Sequence, residues 1–361
     1  MATSYLFFLS QLFQPFYQIG STFHSIPIFY LFIFCLILGV LFYFLFSFFR
    51  AINSLFWFFC LFLGGLVIFY YFSIAILYCL SPLFYDHIEP GITLTALMFF
   101  SKGPLYSPVN SSILIGSPYG PIIYLINGLF FKLSLFSTLV NCKLSGIVLA
   151  FLAIGTLFMT LYRYFSFNHA FLGTVGYVLI ALNFSVCSFW IRAESILLFA
   201  CSLFCFSLFS QKKATFILLS AFSIALAFNA KFHSVLYLFT FLPFAWSKFG
   251  FRSISSAILG SFCLIILPFL SPFISFENYL SYIFLLSQHP IDLHRAFTTH
   301  LPFALILSMP LLFCFFYAFY SSNQRFINYI KRPLSSSIAL FFFCLFLMTF
   351  FAAKVGADTT H

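Results

Sequence analysis

Charge is what this chain has least of. Only 6% of its 361 residues are charged, and six in all are acidic. A soluble domain carries about 25% charged residues, so no soluble surface can be built here. Cysteine is present ten times, but no CxxC pair occurs. Cys35, Cys60, Cys201 and Cys344 sit in apolar runs. That pattern favours small buried apolar residues over a disulfide framework or a zinc site. No basic region precedes the first apolar run, so no cleavable signal peptide is expected.

Apolar residues make up 63% of the chain, 63 of them phenylalanine. The phenylalanines read mainly as codon bias in an AT-rich genome, which lipid tolerates. Period-two alternation, the signature of a membrane barrel, is missing. The apolar runs are continuous, and runs of about 20 residues cross a membrane as helices. The fold class expected is an all-α polytopic membrane protein with about ten transmembrane helices in one domain, 1–361. The expected spans are Ile26–Phe49, Leu55–Leu80, Leu144–Tyr162, Ala170–Phe189 and Ser195–Phe209. Ala214–Ala230, Ser234–Trp246, Ile254–Leu270, Leu301–Tyr320 and Ser336–Phe351 complete the set. Met1–Ser25 and Gly120–Leu133 read as interfacial or re-entrant segments.

The net charge is +10. Lys and Arg occur one or two at a time between apolar runs, so they signal topology rather than a nucleic-acid surface. With Arg50 in the cytoplasm, alternating the spans puts Arg163, Lys212, Lys213, Lys248, Arg252, Arg325, Lys331 and Arg332 inside as well. Asp86, Glu89, Glu194, Glu277, Asp292 and Asp358 all then fall outside. The inside rule weighs Lys and Arg, so the segregation of acids is a separate regularity. It points to a working surface on the outer face.

That surface centres on the first large outer loop, residues 81–121, which carries Asp86 and Glu89. Ser81-Pro82 ends the preceding span. Pro90 suits a helix start, with Glu89 before it outside helical geometry. Gly91–Ser101 then reads as a helix along the interface, stopped by Gly103-Pro104. Asp86 is thereby mounted rigidly and partly desolvated, which suits a general base. The plain alternative is two solvated loop acids.

Three further clusters fall on the same face. Trp190-Ile-Arg-Ala-Glu-Ser195 places Arg192 two residues from Glu194 at a span junction. The two form either a local ion pair or a phosphate clamp. Asn229-Ala-Lys-Phe-His233 offers Lys231 and His233 to an anion, unless Lys231 merely snorkels. The second outer loop, 271–300, holds His289, Asp292, His294 and Arg295 and reads as an acceptor contact. His289, Asp292 and His294 carry ligand chemistry, but no spacing such as HExxH supports a metal, and no cofactor is assigned. Lys354–His361 is a polar cluster directly after the last span, and more chain with further spans is expected beyond it.

Tyr85-Asp-His-Ile-Glu-Pro90, Gly103–Tyr106, Pro118-Tyr-Gly-Pro121, Arg192 with Glu194, and Lys231 occur in that order on one face. In this the chain resembles the GT-C superfamily of polytopic glycosyltransferases, which includes protein O-mannosyltransferases and lipid A aminoarabinose transferases. The resemblance covers Tyr85 to about His233, with a weaker echo at Lys354. Many members place two acids side by side, whereas His87 and Ile88 separate them here. The span Ile26–Phe49 is also extra.

The resemblance implies a polyprenyl-phosphate-sugar donor and a glycan, lipid or protein acceptor. It implies an active site facing the periplasm or exterior of a bacterial inner membrane. Asp86, or Glu89, would take the acceptor proton. Arg192, Lys231, His233 and Lys354 would hold the donor phosphate. His87, Tyr106, Tyr119, Glu194 and the 271–300 loop would meet the substrate. Three other readings stay open. A ligase or polymerase of lipid-linked saccharides would rest on His289 and Arg295. A transporter or flippase would show midplane charges or two repeated halves, and neither is seen. A non-catalytic remnant is the third.

Overall fold

The computed structural model describes residues 53–86, 88–111, 119–133, 135–183, 188–302, 304–305 and 324–353. The chain divides into two compact units, Met1–Cys60 and Leu61–His361. The expected span Ile26–Phe49, most of Leu301–Tyr320, His87 and Lys354 lie outside the described residues.

The described chain is helical throughout. Its elements are α1 (Asn53–Leu80), α2 (Ile88–Phe100), α3 (Pro121–Lys132), α4 (Thr138–Tyr162), α5 (Phe167–Asn183) and α6 (Ala193–Leu208). They continue with α7 (Lys213–Ala230), α8 (Val235–Phe239), α9 (Leu242–Ile266), α10 (Phe276–Ser287), α11 (Leu293–Arg295) and α12 (Gln324–Ala352). Between its two ends a helix satisfies its backbone groups within itself, as hydrocarbon demands.

Among the described residues four helices are long and apolar enough to cross a membrane: Trp57–Leu80, Thr138–Tyr162, Lys213–Ala230 and Leu242–Leu270. Other expected spans are shorter apolar helices, such as Phe167–Leu182, Ala193–Leu208 and Ser336–Phe350. The expected span Ser234–Trp246 is not one helix. A 3-10 turn (Phe232–Ser234) and α8 precede α9, and α9 is itself broken at Gly250 (φ 77°, ψ 168°). That backbone is open essentially to glycine alone.

Contacts show what the break does. Phe249 stacks on Phe216, at the start of α7, with ring centroids 4.0 Å apart. Asn229, at its end, donates to the Ile265 carbonyl at 3.4 Å. The chain thus runs back along α7 from Lys231 to Phe249, then retraces it after Gly250.

α7 is the hub. It packs on α9 and α6, α6 packs on α4, and α3 bridges α2, α4 and α7. Charges collect at the two ends of this bundle. Arg163 lies over the Phe206 ring, and Lys248 Nζ donates to the Leu208 carbonyl at 2.8 Å, at one end. Asp86, Glu89, Arg192, Glu194 and Lys231 gather at the other, joined by the bonds described next.

Candidate functional site

α1 stops at Leu80 because Pro82 cannot continue it. Eight positions after Leu80 α2 begins, earlier than the sequence suggests. Ile88 and Glu89 are helical, and Pro90 falls inside the first turn. The expectation that Pro90 expels Glu89 from the helix is therefore corrected. The first four N–H groups of a helix have no internal partner, so Pro90 sacrifices nothing there.

Between these helices, Asp86 points to Arg192. Arg192 is the extended residue that caps α6 (φ −143°, ψ 162°). Its Nη1 donates to Asp86 Oδ2 at 2.7 Å and its Nε to Glu194 Oε2 at 3.3 Å. Glu194 stands in the first turn of α6, where a carboxylate suits the positive end of the helix dipole. Its other oxygen accepts from Lys231 Nζ. Lys231 caps α7 and faces the Tyr119 ring, 5.5 Å from the centroid. Asp86, Arg192, Glu194 and Lys231 thus form one alternating chain of ion pairs. Their side chains are 9%, 1%, 10% and 6% exposed, so water screens them little. The local Arg192–Glu194 pair is real, but it is only one link. Lys231 does not snorkel.

The Tyr119 carbonyl accepts from the buried Tyr106 hydroxyl at 2.8 Å. Tyr106 packs on Tyr279 and Tyr282, so it buttresses the Tyr119 turn and does not line a surface. Burial pushes the Tyr119 phenol above its ordinary range, with Glu194 adding to the effect. It remains neutral at neutral pH.

Glu89 behaves differently from Asp86. It is fully buried. It accepts from the Tyr78 hydroxyl, from Tyr85 N at 2.9 Å and from Asp86 N at 3.3 Å. Burial raises its carboxyl above the ordinary value, against the opposing pull of those bonds and of Lys143. Of the two acids expected to share the base role, only Asp86 keeps a face toward solvent.

Lys143 and Tyr78 were missed. Lys143 lies inside α4, which starts at Thr138 and not at Leu144. Its Nζ donates to the carbonyls of Tyr78, Ser81 and Leu83 at 3.1, 3.0 and 2.5 Å. The Tyr78 hydroxyl accepts from Ile191 N at 3.1 Å, and the Trp190 ring stacks on Tyr78 at 5.4 Å. One signal was available: Lys143 stands at the outer end of an apolar run, where the inside rule does not place a lysine.

The remaining expected residues lie elsewhere. His233 is half-buried in the turn after Lys231. His289, Asp292 and His294 are exposed and Arg295 is half-buried. Asp292 Oδ1 caps α11 by accepting from Arg295 N at 3.0 Å, and Asp292 N donates to the Ala353 carbonyl at 2.9 Å. None of the four belongs to the ion-pair chain. Among the described residues no three His, Cys, Asp or Glu side chains group as metal ligands. A shallow groove along α10, lined by Val109, Glu277, Leu280, Phe284 and Gln288, includes no member of the chain either.

Comparison of the whole sequence and structure with protein-family profiles, curated proteins and solved structures finds no match.

Proposed function

We propose that the chain is a membrane glycosyltransferase of GT-C type. It moves a sugar from a polyprenyl-phosphate donor to an envelope acceptor at the outer face of a bacterial inner membrane. One observation carries the reading. Asp86, Arg192, Glu194 and Lys231, drawn from three distant segments, form a buried, connected acid–base chain at one end of a lipid-facing bundle.

As described, the four charges sum to zero. A donor phosphate must therefore trade places with a carboxylate. Asp86 is the acid that can leave, since it sits on a turn at the edge, whereas Glu194 is held from both sides. Phosphate takes over the Arg192 fork, a geometry guanidinium suits. Asp86, released, accepts the proton of an acceptor hydroxyl. The hydroxyl oxygen bonds to the anomeric carbon as the bond from that carbon to the phosphate oxygen breaks. The phosphate leaves with the electron pair, and Arg192 and Lys231 stabilise its added charge. One displacement inverts the anomeric centre.

General base catalysis is worth about 10²–10⁴-fold. Asp86→Asn should therefore lose that factor in transfer of labelled sugar from undecaprenyl- or dolichyl-phosphate donors. It should bind donor at least as tightly, because Arg192 is released. Full transfer by Asp86→Asn refutes the assignment. Mass spectrometry of the cell envelope with and without the gene then reads sugar and acceptor from the unit lost.

A further inference from the structure

The last carbonyls of a helix have no partner within it. At the end of α1 one carbonyl of its last turn and two of the turn beyond it meet a lysine from another helix. The Tyr78, Ser81 and Leu83 carbonyls converge on Lys143 Nζ, and the Tyr78 and Tyr85 rings flank it at 4.5 and 5.4 Å. Lys143 is fully buried. An ammonium in such a place is expensive unless hydrogen-bonded. Here it gains three carbonyls, two aromatic faces and the negative end of a helix dipole. Lys143 holds the carbonyl side of the 81–86 turn. Glu89 holds the other side, through the N–H groups of Tyr85 and Asp86. Tyr78 ties both to Ile191, the neighbour of Arg192.

We propose that Lys143 is a positioning residue for Asp86: its ammonium closes the end of α1 and fixes the turn that carries Asp86 to Arg192. The catalytic consequence rests on the glycosyl-transfer reading; the geometric one does not. Lys143 touches no reacting atom. It acts by denying the turn other conformations. A rigid mount matters because misplacement by about 1 Å costs about 10²-fold in rate.

The test uses the full chain in micelles, with two readouts. The first needs no activity. Coupling between Asp86→Asn and Arg192→Gln is read as shifts of the unfolding midpoint, with and without Lys143→Met. The coupling should fall toward zero when Lys143 is replaced. Unchanged coupling overturns the proposal. The second readout is turnover of undecaprenyl-phosphate-linked sugars. Lys143→Met should lower kcat about 10²-fold with donor KM unchanged, and methylammonium should restore kcat in Lys143→Ala. An unchanged kcat, or a change in KM alone, overturns the proposal. If Lys143→Met does not fold, Lys143→Arg takes its place. That variant keeps the charge, but its planar fork misfits a compact carbonyl cage, so the same loss of coupling is expected. If the unsubstituted chain gives no turnover, the transfer reading fails, and the coupling readout still decides the role of Lys143.

Discussion

Arg192→Gln removes a cation that two buried carboxylates share. The Arg192 side chain is 1% exposed, with Asp86 at 2.7 Å and Glu194 at 3.3 Å. Glu194 still has Lys231 after the change, but Asp86 loses its guanidinium. Breaking a buried pair by deleting one partner costs about 3–5 kcal/mol, and that range is expected here. Asp86→Asn is milder. It leaves Arg192 bonded to Glu194 and forfeits one charge-assisted hydrogen bond, about 1.5–3 kcal/mol. The two changes share a bond, so the double variant should fall short of their sum by about 0.5–3 kcal/mol. Equilibrium unfolding in mixed micelles, with helicity as the signal, measures all three. The reasoning is refuted if Arg192→Gln costs no more than Asp86→Asn, or if the two effects add fully.

Three other outcomes are expected. A methyl placed on Gly120 would lie 2.1 Å from the Asn229 carbonyl oxygen and 2.5 Å from its carbon. Backbone cannot yield cheaply, so Gly120→Ala should destabilise by about 1–3 kcal/mol and displace Tyr119 from Lys231. Gly155→Ala, with nothing within 4 Å, should gain about 0.5–1 kcal/mol; micellar unfolding separates the two. Burial raises the Glu89 carboxyl in the folded state. Relative to the unfolded chain the fold then favours the protonated carboxyl, so the stability it contributes is complete below the ordinary carboxylate range and is lost as pH rises through the raised value. The unfolding midpoint of Glu89→Gln, followed from about pH 4 to 8, should lack that loss. Alanine at the exposed His289, Asp292 and His294 should leave the midpoint nearly unchanged, apart from the cap that Asp292 supplies, worth about 1 kcal/mol. On the transfer reading these changes cost turnover less than Asp86→Asn does, whereas a ligase or polymerase resting on His289 and Arg295 would lose more by changes in this loop.

The helical class and the long apolar helices were legible in composition and run length. So was the meeting of Asp86, Glu89 and Glu194 at one end of the bundle. The ends of elements were less so. α4 begins at Thr138, six residues before its apolar run, because a lysine enters a helix freely when carbonyls from a neighbour receive it. The stretch Ser234–Trp246 reads as one apolar span, but it is divided between α8 and the start of α9. The roles of the two acids were not separable either. Asp86 and Glu89 are near neighbours with the same chemistry; one is buried and the other borders solvent only because of what packs around them.

By itself the sequence determined that this chain must live as lipid-compatible helices. Hydrophobic run length and backbone hydrogen bonding are local demands, met within each segment. It also determined which charges exist to be placed. Only the tertiary structure decided that Asp86 meets Arg192 across 106 positions, and that Glu194 and Lys231 complete the chain. A buried charge is tolerable only beside its counter-charge, and which partner arrives depends on how the helix ends are brought together.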